Sequence, residues 1–198
     1  MTFIQFFAII SFLFPLAYSP GPGNISFAAA GASGGFMSTL PASFGYHIAT
    51  FFVAILIGFG LSEIVAKHPQ ILNLISISGS LYIIYLGCRF IFASFSKLEL
   101  QAVKISFFDG VMILMLNPKG YLIMALLFSQ FTPDDSQNRV EFIILITIVF
   151  TLNNFIAFCV WTLGGNLIAK LLHSKQSQKI MNVIFGTMLI LVAIMLNF

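Results

Sequence analysis

Six apolar stretches, nearly free of charge and joined by short connections, constrain this chain more than any motif in it. A run of about 20 apolar residues crosses a bilayer core as a helix. The six run from about 3 to 33, 37 to 62, 70 to 93, 106 to 132, 141 to 169 and 180 to 198. Only 8% of the 198 residues are charged, against about 25% in a soluble domain, so water is not the main solvent. The connections are too short to hold a separate core. The chain therefore reads as one polytopic transmembrane domain, 1–198, whose activity lies within the membrane. Residues 1–5 lack the basic n-region of a signal peptide, and the first stretch is kept as a span.

Basic residues set the orientation. Arg89, Lys97, Lys104, Lys170, Lys175 and Lys179 lie around the connections after spans three and five, while Lys67 and Arg139 lie on the other side. The positive-inside rule puts the first group in the cytoplasm and both termini outside. None of these residues forms a basic stripe with interleaved aromatics, so nucleic acid is not an expected partner. Cys88 and Cys159 have no CxxC or Cys/His spacing and read as small embedded side chains rather than disulfide or metal ligands. Neither a metal nor a cofactor is expected.

Spans one and four are interrupted, by Ser19-Pro20-Gly21-Pro22-Gly23-Asn24 and by Asn117-Pro118-Lys119-Gly120. They occupy the same place in two successive sets of three spans. Span three around Gly79 (S-G-S-L-Y-I-I-Y-L) also resembles span six around Gly186 (F-G-T-M-L-I-L-V-A). An odd number of spans per repeat inserts the second copy upside down. The expected fold is thus all-α, with six transmembrane helices in two inverted three-helix repeats, about 1–96 and 97–198, and broken helices in spans 1 and 4. Paired broken segments point to a transport site near the midplane.

Unwound backbone survives in hydrocarbon only where it lines a protein-walled or watered cavity. Pro20, Gly21, Pro22, Gly23 and Asn24 form one candidate wall, with Asn24 as the N-cap of a half-helix through Ile25 to Gly31. Asn117, Pro118 and Lys119 form the other, Asn117 as N-cap and Pro118 at the first helical position. Two facing helix starts with free N–H groups, plus the Lys119 charge, suit a carboxylate. A lysine near a span centre costs about 2.5–3.5 kcal/mol on insertion scales and is tolerated for function. The structural alternative treats the prolines as packing kinks and Lys119 as a snorkelling side chain.

Other polar residues have two readings each. His47 is a proton relay or a hydrogen-bonded packing residue. Asn153 and Asn154 line the cavity or bond a neighbouring helix. Asp109 is too far along a regular helix to reach Lys119 and sits toward the cytoplasmic rim. Glu63 and Lys67 form an i,i+4 surface pair. The Gly31/Gly35 GxxxG seats a helix, or a second copy in a homodimer. Trp161 packs or anchors at an interface.

These residues resemble the LysE/RhtB-type amino-acid exporters of bacteria. The likeness rests on S-P-G-P at 19–22 with Asn24, G-S-L-Y-I-I-Y-L-G at 79–87, F-F-D-G-V-M-I-L-M-L-N-P-K at 107–119 and I-F-G-T-M-L-I-L-V at 184–192, covering nearly the whole chain. The resemblance implies a multi-pass carrier of the inner membrane, not an enzyme, that expels neutral or basic amino acids or related metabolites in exchange for protons. W-T-L-G-G-N-L at 161–167 looks closest to the cysteine/O-acetylserine exporter branch. Two departures stand out: Gly23 intervenes before Asn24, and span five carries Asn153 and Asn154 where some members have an aspartate. Coupling is then left to Asp109, His47 or the substrate. The alternatives are an ion or metal exporter of the same superfamily, and an intramembrane enzyme, for which the chain offers no HExxH, no GxSxG and no carboxylate pair within a span.

Overall fold

The computed structural model describes residues 2–61, 67–95, 103–132, 139–171 and 175–195, and every regular element among them is helical. In chain order these are α1 (Phe3–Tyr18), α2 (Pro22–Gly34), a 3-10 turn (Phe36–Thr39), α3 (Leu40–Leu56) running into a π-turn (Ile57–Leu61), and α4 (Pro69–Phe95). The second half holds α5 (Phe107–Met115), α6 (Pro118–Phe131), α7 (Arg139–Leu171) and α8 (Lys175–Met195).

Residues Phe36–Gly60, Asn73–Phe95 and Arg139–Leu171 are each long and apolar enough to cross a membrane. Two further spans arise if each bent pair counts as one: α1 with α2, bent by 64°, and α5 with α6, bent by 63°. The bends fall at the two interruptions expected from the sequence. The sixth expected segment is a shorter apolar helix, Lys179–Met195. Three to five spans therefore meet the length and composition criteria. Phe14, Phe44, Phe52, Leu81, Phe92 and Phe108 are all exposed, a surface that lipid covers and water would not tolerate. Glu63, of the expected Glu63–Lys67 pair, lies outside the described residues.

Four helix crossings bring backbones into contact, one of them Gly79 of α4 on the Leu116 carbonyl at the end of α5. In the α2–α7 crossing, Gly31 lies on the Thr162 carbonyl and Gly165 on the Ala28 carbonyl. Between α3 and α5, Gly45 meets Phe107 and Gly110 meets Ala42 in the same reciprocal way, and Gly87 of α4 faces Gly186 of α8. Small residues at such crossings permit the close approach that holds membrane helices together. The Gly31/Gly35 pair thus seats α2 on its own α7, and Gly35, with φ 79°, closes the end of α2. Ser33 accepts a hydrogen bond from the Val103 N–H at 2.8 Å, so the α2–α7 and α3–α5 crossings share one end of the bundle, the end carrying Lys104. These contacts hold the half-helices in register around the two breaks.

Candidate functional site

At the first break, a run of carbonyls at the end of α1 has lost its helical partners. Side chains replace them. Ser19 Oγ donates to Leu16 O at 3.0 Å, and Trp161 Nε1 donates to Tyr18 O at 3.2 Å. Asn24 Nδ2 donates to both Ala17 O and Ser19 O at 2.8 Å. This satisfies groups that would otherwise cost several kcal/mol each in the membrane interior. It also corrects the expected role of Asn24. The N-cap of α2 is Gly21, and Pro22 takes the first helical position, so Asn24 lies inside the helix and reaches back to seal the end of α1.

The second break follows the expected chemistry more closely. Asn117 is the N-cap of α6, with Pro118 first in the helix, and its Oδ1 accepts from the Lys119 N–H at 3.2 Å. Gly120 N–H bonds Asn117 O at 3.1 Å, and Tyr121 Oη donates to Met115 O at 3.2 Å. The start of α6 is therefore largely self-capped, contrary to the expectation of free N–H groups at both breaks. Helix α2 has no side-chain cap, which leaves the N–H groups of Gly23 and Asn24 as its helix-start donors.

The two breaks meet. Lys119 Nζ donates to Ser19 Oγ at 2.8 Å and to Ser19 O at 3.1 Å, joining positions 100 residues apart. Its stem lies over Gly21, where a Cβ would come within 3.1 Å of Nζ. Gly21, Gly23, Asn24, Asn117, Lys119 and Gly120 all line one small cavity of about 30 Å³. Lys119 carries the one charged side chain among the lining residues. Pro20, Pro22 and Pro118 shape the breaks without lining the cavity.

Of the other candidates, Asn154 lines the cavity and Asn153 does not; Asn153 is buried beside it with its amide nitrogen unpartnered. His47 sits behind the wall. Its Nδ1 bonds Ser43 O at 2.7 Å, the Asn154 backbone is its second polar neighbour, and its ring packs on Phe155 and Phe158. Asp109 is remote from Lys119 and fully engaged, accepting from Tyr82 Oη at 2.6 Å, Arg89 Nη1 at 3.4 Å and Ser106 N at 2.7 Å.

Sequence reading missed Tyr46, Phe150 and Phe158. The Tyr46 hydroxyl has the Asn117 and Asn154 side chains as hydrogen-bond partners, and its ring lies 4.4 Å from that of Phe158. One signal was present: Phe150, Asn154 and Phe158 recur at i, i+4 and i+8, a single face of α7. The cavity thus offers a fixed ammonium, amide and hydroxyl dipoles, and aromatic faces. The ammonium suits an anionic group, and the neutral oxygens and rings suit a cationic one.

Residues 14–198 match the family model of the LysE type translocators. The chain is 24% identical over 195 residues to a cysteine/O-acetylserine efflux protein of Shigella flexneri serotype 5b, covering 98% of both chains. The cysteine/O-acetylserine efflux protein of Escherichia coli K12 is 24% identical over 179 residues, 90% of each chain. A homoserine/homoserine lactone efflux protein of Salmonella typhimurium is 23% identical over 201 residues, covering 99% of this chain and 97% of its own. No solved structure matches the chain significantly. With its apolar helices, its paired breaks and a match spanning nearly its full length, the chain belongs to the LysE type translocator family of multi-pass inner-membrane proteins.

Proposed function

We propose that this chain is a secondary exporter that moves small amino acids or close metabolites out of the bacterial cytoplasm by alternating access. The observation that carries the reading is the meeting of the two breaks, with Lys119 as the lone charge among the residues lining the cavity between them. The substrate carboxylate binds the Lys119 ammonium, assisted by the helix-start N–H groups of Gly23 and Asn24. Its ammonium group lies against Asn154, Tyr46 and the Phe158 ring. The full-length likeness to efflux proteins for cysteine, O-acetylserine and homoserine supports both the substrate class and the direction.

Six spans in two inverted halves, 1–96 and 97–198, place one break from each half at the cavity, and rocking of the halves exposes it to either side in turn. Protons drive export. His47 is the coupling group we favour, because it lies directly behind the cavity wall with its ring on Phe158 and carries no ion pair among the described residues, whereas Asp109 is already held by Arg89, Tyr82 and Ser106. Export from proteoliposomes by Lys119→Ala and Asn24→Ala variants tests the site. Strong loss in Lys119→Ala is expected, and wild-type transport in both variants would overturn the assignment.

A further inference from the structure

Lys119 is bound by the other break. Ser19 supplies both acceptors, and two of the three ammonium N–H bonds are thereby used. The hydroxyl is preset for this, since its own proton goes to Leu16 O at 3.0 Å and leaves its lone pairs for Lys119. Gly21 leaves the space across which the lysine stem lies. Ser19 sits in the first half of the chain and Lys119 in the second, so the contact bridges the two halves across the cavity.

The geometry points to Ser19 as an internal competitor of the substrate: a tether that holds Lys119 when the site is empty and that a carboxylate must displace. The inference rests on the reading of Lys119 as the carboxylate site. A serine hydroxyl is a neutral acceptor, and a carboxylate makes charge-assisted bonds to the same ammonium that are roughly twice as strong. The substrate therefore wins the exchange, but its affinity is reduced by the contact it breaks. Displacement also removes a bond between the halves, which links occupancy to their freedom to move. An analogue without a carboxylate that leaves the tether in place also leaves the halves joined, so the tether ties movement of the halves to a free acid.

The sole tryptophan gives the readout. Trp161 Nε1 bonds Tyr18 O, next to Ser19, so its emission senses the first break. The purified full-length protein is titrated with the protein amino acids, O-acetyl-L-serine and L-homoserine, and the best-bound member is carried to the variants. Ser19→Ala is expected to bind it at least threefold more tightly than wild type, Ser19→Thr to match wild type, and Lys119→Met to lose binding. A purely structural serine would weaken binding when removed, so equal or weaker binding by Ser19→Ala overturns the tether while leaving the carboxylate site standing. Wild-type affinity in Lys119→Met, or no binding of any member by wild type, overturns the carboxylate reading and the tether with it.

Discussion

Replacing Lys119 by Met removes the ammonium while keeping an unbranched stem to lie over Gly21. Packing around the second break is then largely preserved, and the lost quantity is the charge-assisted contact with the substrate. Hydrogen bonds to charged groups contribute about 1.5–3 kcal/mol, and the stranded carboxylate in a confined cavity pushes the loss to the upper part of that range. At 1.4 kcal/mol per factor of ten, 2–3 kcal/mol corresponds to a roughly 30- to 150-fold rise in KM. The assay is initial-rate transport in proteoliposomes for an amino acid and for its amide. Wild type should favour the free acid by about that factor, and Lys119→Met should lose the preference. Stability should change little, because the variant sheds both the insertion cost of an embedded lysine, about 2.5–3.5 kcal/mol, and its hydrogen bonds to Ser19, which at about 1.5–3 kcal/mol each offset it. A variant that melts lower yet keeps its preference for the free acid would show that Lys119 serves the fold, and would refute the reasoning.

Adjacent glycines on α7 should behave oppositely. Gly165→Ala drives a methyl into the Ala28 backbone and should cost about 1–3 kcal/mol, whereas Gly164→Ala meets nothing within 4 Å and should be neutral or stabilising in a melting assay. Asn24→Asp should destabilise more than Asn24→Ala in the same assay, because an ionised carboxylate cannot donate to the carbonyls of Ala17 and Ser19 and repels them. His47→Gln should flatten the pH dependence of export, while Asp109→Asn should shift its rate and leave the pH dependence in place; the reverse pattern would move the coupling group to Asp109.

What was legible in the sequence is what depends on local spacing. The positions of both breaks follow from Pro and Gly within apolar runs, and the cap at Asn117 follows from Pro118 after it. The same rule applied at Pro22 would have assigned the cap to Gly21, so the misplacement of Asn24 came from giving a good capping side chain more weight than the fixed φ of proline. Contacts between distant elements left no such trace. Ser19 and Lys119 are 100 residues apart, Arg89 and Asp109 are 20 apart across a connection, and Trp161 finds Tyr18 through the α1–α7 approach. Tyr46 was hidden for a different reason: a tyrosine in an apolar span reads as packing until the two asparagines beside its hydroxyl are seen. Helical period tells which residues share a face, and only the glycine-seated crossings decide which faces meet.

The central claim is most directly tested by loading proteoliposomes containing the wild-type protein with small amino acids, their amides and a divalent metal, and following what leaves under an imposed proton gradient. The account predicts gradient-dependent efflux of amino acids with a free carboxylate, and retention of both the amides and the metal. Efflux of the metal, equal efflux of amide and acid, or no efflux of any amino acid would contradict it.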